Sequence, residues 1–310
     1  MTPEVDPVLK RLKLEILRLL SEYRLRDRNF VHCCNICSFN SFDYVVCIMR
    51  KKMNFCLKLT LLALLALTST TMAQPSAEEI ASTAQQAHHI NAWSDKEIVQ
   101  AEVRVVFGGA VMVDGTFTFE AHGGRARYDR KDGVSIIYDG KTAWVSPGTT
   151  EAPMGRFHVL TWPWFVMAPF RMQGEGVTLS QPEIRRLDGT DYQAVYQTFA
   201  PNAGDTPDDW YRFFVHPETG LIDKMSYIVT YGKDAETANK QPSIIYYSDY
   251  TQGDGPRIAQ QYEFWLWNSD TNQQVGDTPK GNGVVKKITY LQHGEADFSA
   301  PQGAKELPLP

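Results

Sequence analysis

No cysteine follows Cys56. All five (Cys33, Cys34, Cys37, Cys47 and Cys56) precede residue 57 of this 310-residue chain, so the remainder can form no disulfide, offer no thiolate nucleophile and build no cysteine metal site. Catalytic signatures are missing as well: there is no G-x-S-x-G, no H-E-x-x-H, no P-loop and no G-x-G-x-x-G. Basic charge is scarce beyond residue 73, where 20 Lys+Arg face 30 Asp+Glu, a formal charge of 20 − 30 = −10. Such a surface repels phosphate backbones and anionic bilayers, which argues against nucleic-acid and bulk membrane binding. Long apolar runs are absent too. The longest, Leu59–Leu67, is well short of the roughly 20 residues of a membrane-spanning helix.

That short run is informative for another reason. Residues 53–74, MNFCLKLTLLALLALTSTTMAQ, read as a secretory signal peptide, with Lys58 as the charged part and small residues at −3 and −1 of a cleavage site after Ala73. No cysteine follows the run to carry a lipid anchor. The expectation is a periplasmic or secreted protein whose mature part is 74–310 and which keeps no stable membrane span. An export signal works at an amino terminus, so translation is expected to start at Met53, with 1–52 a spurious or disordered extension. Within that extension Val8–Arg26 has the apolar spacing of a basic amphipathic helix. Cys34–Cys37 forms a single CxxC without the second pair a zinc site needs. No metal or cofactor is expected.

Over 74–310 the patterning is mostly of period two. Ser76-Ala77-Glu78-Glu79 predicts a capping box opening a helix to about Ile90, with Ile80, Ala84 and Ala87 as its apolar stripe. From Glu97 alternation takes over: Val99, Ala101, Val103, Val105 and Phe107 share one face, and after Gly108-Gly109 so do Val111, Val113, Phe117 and Phe119. Strands are predicted over 125–131, 134–138, 142–145, 192–199, 210–216, 221–231, 243–250, 258–267 and 284–291, the second and third of these flanking Asp139-Gly140 as a hairpin. Ten or so alternating strands in succession without βαβ alternation imply an antiparallel meander with one covered face. The tail 297–310 is expected to be an extended arm on the surface, and Asn202–Asp209 a solvated hairpin tip without calcium-loop spacing.

One segment breaks the alternation. Phe157–Met172 (FHVLTWPWFVMAPFRM) is densely apolar, with Pro163 placed to start a short helix and Pro169 to end it. It is either ordinary core plugging the sheet or a movable cover over a cavity. On the second reading Trp144, Trp162, Trp164, Phe165, Met167 and Phe170 are the candidate ligand-binding residues. No catalytic residues are expected. His88-His89 point about 100° apart on a helix and make no i, i+4 metal pair. Trp144, Trp210, Trp265 and Trp267 suit a core or sugar stacking, and carboxylates brought together from distant strands would leave no sequence trace.

An exported chain opening on a helix that ends in Ala87-His88-His89-Ile90-Asn91-Ala92-Trp93, running into a long antiparallel sheet with the hairpin Tyr211–Tyr227, and closing on Ala296-Asp297-Phe298-Ser299-Ala300-Pro301 resembles the LolA-like superfamily of outer-membrane lipoprotein-sorting carriers. More closely it resembles that superfamily's uncharacterised exported relatives. The resemblance spans about Ala77 to Pro301. It implies a mainly β fold with few helices: a strongly curved antiparallel sheet, or incomplete β-barrel, with an N-terminal helix and a short helical plug on the concave face. It also implies a carrier for a lipid, an acylated ligand or an outer-membrane lipoprotein. An envelope-stress sensor and a periplasmic hydrolase stay open as alternatives. No functional arginine of the family can be matched, and Arg104 and Arg127 are left without a role.

Overall fold

The computed structural model describes Arg18 and residues 74–309 except Asn202. The chain divides into two units, Met1–Ala73 and Gln74–Pro310, and the second is described here. Apart from Arg18, the signal peptide, the basic helix and the CxxC expected from the sequence lie outside the described residues.

Helix α1 (Ala77–Ala87) starts at the capping box. The Ser76 hydroxyl accepts from the Glu79 amide at 3.2 Å, and Glu79 Oε2 accepts from the Ser76 amide at 2.7 Å. Its buried face is Ala77, Ile80, Ala81 and Ala84. The helix stops three residues short of Ile90 because His89 adopts a left-handed conformation (φ 60°), after which α2 (Ile90–Ser94) carries Trp93 into the core.

The sheet then follows in chain order. Strands β1 (Ile98–Phe107), β2 (Ala110–Glu120), β3 (Ala126–Arg130), β4 (Ser135–Tyr138) and β5 (Ala143–Ser146) form a meander. Helix α3 (Gly155–Met167) and a 3₁₀ turn (Ala168–Arg171) lead into β6 (Val177–Leu187), β7 (Thr190–Phe199), β8 (Tyr211–Val215) and β9 (Ile222–Tyr227). A short α4 (Ala235–Asn239) precedes β10 (Ser243–Tyr250), β11 (Ala259–Asn268), β12 (Gln273–Val275), β13 (Gly281–Leu291) and β14 (Lys305–Leu307). All pair antiparallel in one 14-stranded sheet, ordered β14-β5-β4-β3-β2-β1-β13-β11-β10-β9-β8-β7-β6, with β12 on β11. Its ends do not meet, so the sheet is open and curved. No helix among the described residues is long and apolar enough to cross a membrane.

The alternation read from the sequence sets the covered face. Across β1 and β2, Val99 faces Phe119, Ala101 faces Phe117 and Val105 faces Val113, and all six are buried. Val111 departs from this: a bulge between Val105 and Val106 pairs Val111 with Val106 and turns it outward to 50% exposure. Helix α3 packs over β2–β5 and α1 over β6 and β7. The same core collects residues from both helices and both halves of the sheet.

The outer face is dry in two places. Leu187, Tyr192, Phe214, Ile244, Trp265 and Trp267 form a second cluster, so β8 buries Phe213 on one side and Phe214 on the other. Of the two readings open for Trp265 and Trp267, burial to 7% and 3% exposure makes them core. The tail also differs from a plain surface arm. Phe298 is buried against Ile98 and Ile137, and Lys305–Leu307 adds β14 to the free edge of β5.

Candidate functional site

The Phe157–Met172 segment folds as a helix that begins at Gly155 and ends at Met167, with Pro163 in its interior. Pro163 was expected at the first turn. Inside the helix it has no N–H to give the Val159 carbonyl and interrupts the hydrogen-bond ladder there. Pro169 falls in the 3₁₀ turn that tightens the helix end. The start of α3 is pressed onto the sheet: a Cβ on Gly155 would lie 2.8 Å from Leu307 Cδ1 and 3.0 Å from Ile136 Cδ1, so any side chain there requires those methyl groups to move. Val159, Trp162, Phe165, Val166 and Met167 are all buried, and a helix apolar on every side must be enclosed.

The enclosure is incomplete. Between α3 and the sheet lies a cavity of about 630 Å³, within the roughly 300–1,000 Å³ range of small-molecule sites. Helix α3 contributes Val159, Leu160, Pro163, Trp164, Phe165 and Met167 to its wall. Phe119, Ala126 and Tyr138 come from the N-terminal strands, and Phe199, Tyr211, Val229 and Tyr231 from the far half. Trp164 packs at ring-centroid distances of 5.6 Å from Phe199 and 5.5 Å from Tyr211. Burial pushes the Tyr211 hydroxyl well above its usual range, so it stays neutral.

Charged residues form the rim. Arg156, 4% exposed, grips Asp205 in a two-pronged ion pair, Nε to Oδ2 at 2.5 Å and Nη2 to Oδ1 at 2.8 Å, and lies over the Tyr138 ring. This pair ties the start of α3 to the β7–β8 loop, whose Asp205 lines the cavity. Asp209 Oδ1 accepts from the Thr230 amide (2.6 Å) and hydroxyl (2.8 Å), and Oδ2 accepts from the Thr206 hydroxyl (2.8 Å). Burial raises the Asp209 carboxyl pKa against the pull of those donors. Over 203–209 the expected solvated tip is only partly that: Gly204 and Asp208 are exposed, but Asp205 and Asp209 face inward as structural acceptors. Glu120 accepts from Arg125 Nε at 2.9 Å, Arg125 Nη2 at 2.6 Å and the Arg125 amide at 3.0 Å. Arg171 donates Nη2 to the carbonyls of Ala121 (3.1 Å) and Gly123 (3.0 Å).

Of the six residues singled out from the sequence, Trp164, Phe165 and Met167 line the cavity. The other three lie elsewhere. Trp162 turns to the core, donating Nε1 to His158 Nδ1 at 3.1 Å and packing edge-on against Phe165 and Phe264. Phe170 stacks on Trp93 at 4.2 Å. Half-buried Trp144 on β5 donates Nε1 to Asp139 Oδ2 at 3.1 Å. Arg104 and Arg127 pair with Asp114 and Asp129.

The chain matches no protein-family model and no curated protein. It is similar in fold to solved structures. One is a domain described as an outer membrane lipoprotein-sorting protein from Vibrio parahaemolyticus (10% identity, TM-score 0.43, 71% of this chain and 96% of that one). Another is a LolA superfamily protein from Nitrosomonas europaea (9% identity, TM-score 0.45, 73% and 98%). A third is a DUF1329 family protein from Desulfovibrio piger (12% identity, TM-score 0.37, 68% and 92%).

Sequence reasoning missed Arg171, Phe119, Tyr211 and Val229 as cavity wall, and Arg156 as the partner of Asp205. Phe119 and Tyr211 had the alternation that aims a side chain at the covered face, and Arg171 lay within the anomalous segment. Arg156 and Asp205, 49 residues apart, carried no joint signal. Among the described residues, no group of three or more His, Cys, Asp or Glu is placed to hold a metal ion.

Proposed function

We propose that the protein is a binding or carrier protein for a lipid, an acylated ligand such as the lipid-modified end of a lipoprotein, or another apolar molecule, held between α3 and the sheet. The observation that carries this is the cavity of about 630 Å³ walled by Val159, Leu160, Trp164, Phe165 and Val229, beneath a helix too apolar to face water. Each methylene moved from water into such a site contributes about 0.8 kcal/mol. Ten of them thus supply about 8 kcal/mol before the costs of immobilisation are subtracted. Entry and release go with displacement of the 157–172 segment, which the Arg156–Asp205 pair holds closed. The signal-like segment 53–73 supports export to the periplasm or beyond, with cleavage after Ala73.

The test is native mass spectrometry of the protein expressed in a bacterial periplasm, followed by solvent extraction and lipid analysis. The expected result is a co-purifying acyl species that is lost when Trp164 and Phe165 are replaced by glutamate in a protein that still folds. A bare mass that also ignores added fatty acids and lipopeptides would refute the carrier reading and leave α3 as ordinary core.

A further inference from the structure

The polar groups of the cavity are unevenly satisfied. Its carboxylates are mostly engaged internally: Glu120 by Arg125, Asp205 by Arg156, and Asp209 by Thr206 and Thr230, which leaves only Glu175, at the exposed rim. Of the two arginines in the wall, Arg125 is paired with Glu120 and Arg171 is different. Arg171 makes no ion pair among the described residues, its Nη2 serves two backbone carbonyls, and its Nε is buried with no hydrogen-bond partner. Burial lowers the Arg171 pKa, and the only nearby charge acting against this is Glu120, already held by Arg125. Trp164, in the same cavity wall, has its Nε1 buried beside the Tyr211 hydroxyl, which it serves rather than the cavity.

A desolvated guanidinium without a counter-ion is unfavourable, and an N–H aimed at nothing adds to the cost. An anion arriving with the ligand supplies the missing counter-charge, because a charge-assisted bond to a guanidinium is among the stronger hydrogen bonds available. Resting on the carrier reading above, we infer that the ligand is an anionic amphiphile: an acyl chain lies along Leu160, Phe165 and Val229, and its carboxylate or phosphate head is received by Arg171. The internal carboxylates do not oppose this, since each already has its own donors. Arg171 then selects among apolar ligands by charge, which the hydrocarbon wall alone cannot do.

The test is isothermal titration calorimetry of the full-length protein with dodecanoate, dodecyl phosphate and dodecan-1-ol, each below its micelle concentration. The expected result is that at least one anionic probe binds about tenfold or more tightly than the alcohol, the worth of one charge-assisted hydrogen bond. Arg171→Gln should abolish that preference while leaving the alcohol within about twofold, and Arg171→Lys should restore part of it. Equal affinity for all three probes in the unaltered protein overturns the inference and leaves the carrier reading standing, as does a preference that survives Arg171→Gln. Binding of none of the probes removes the carrier reading itself, and the inference with it. Should Arg171→Gln fail to fold by circular dichroism, the comparison of probes on the unaltered protein and on Arg171→Lys still decides the matter.

Discussion

Acidification should destabilise this protein, and one histidine carries a share of the loss that can be worked out. His88, at the end of α1, is fully buried, with Nδ1 2.7 Å from the Arg257 carbonyl and Nε2 3.1 Å from the Ile222 amide nitrogen. The Ile222 N–H donates, so Nε2 must be unprotonated; the Arg257 carbonyl can only accept, so Nδ1 must carry the hydrogen. That fixes a neutral ring bridging α1, β9 and the β10–β11 loop. Protonating Nε2 would set two N–H groups against each other in a dry site. Burial accordingly lowers the His88 pKa from 6.5 to about 4. The unfolded chain takes up a proton on this residue below pH 6.5, whereas the folded chain does not until about pH 4, so stability is full above pH 6.5 and falls through that window. At about 1.4 kcal/mol per pH unit the loss is about 2 kcal/mol by pH 5 and about 3 kcal/mol by pH 4. The assay is urea denaturation of the wild type and His88→Gln between pH 7.5 and 4.5. Other groups titrate over this range, including His158, also lowered to about 4 by burial, so the decisive quantity is the stability gap between the two proteins. The wild type should lead at pH 7.5, and the gap should shrink at the stated slope below pH 6.5. A gap that does not change with pH would refute the neutral-bridge reasoning.

Asp205→Ala leaves the Arg156 guanidinium buried and unpaired and should cost about 3–5 kcal/mol, whereas the double change Arg156→Met with Asp205→Leu should recover most of that loss; thermal denaturation compares them. If ligand release depends on the same pair, Asp205→Asn should raise the ligand dissociation rate in stopped-flow measurements more than it changes the association rate. Phe298→Ala should cost about 3–5 kcal/mol by denaturant melt, because the tail is part of a buried cluster with Ile98 and Ile137 and is no loose arm. Gly155→Val drives a branched side chain into Leu307 and Ile136 and should destabilise by more than about 1 kcal/mol; a neutral result would mean that α3 sits further from the sheet than described.

The parts of this molecule legible in the sequence are those set by local chemistry. Period-two alternation named the covered faces of β1 and β2, because one face of a strand is either wet or dry and residue type follows. The capping box named the start of α1 in the same way. Strand β6 escaped notice: VTLSQPEIRRL is interrupted by Pro182 and a bulge, and its burial is too shallow to leave an apolar rhythm. Position 89 ended α1 early through a left-handed histidine, a conformation for which the sequence carries no mark. The cavity was legible by half. An apolar run of helix length announces that something must cover it, but not which flank of the helix meets the sheet and which meets a gap. Trp162 and Trp164 are two residues apart and so lie on different sides of α3: one is core and one is wall. The rim depended on long-range pairs such as Arg156–Asp205, which only the folded chain brings together.

An open sheet has two free edges, each a row of backbone donors and acceptors able to recruit a strand from another molecule. Here both are blunted by different means. On one side the chain lays its own Lys305–Leu307 along β5, so the outermost strand is three residues long and carries Lys305 and Glu306. On the other, Pro182 and the left-handed Gln181 remove a donor from β6 and break its register against β7. A sheet that stays open is thereby guarded against pairing with other molecules through its own edges. Pro182→Val, which returns a donor to one rim, is the change that should make light scattering rise with protein concentration.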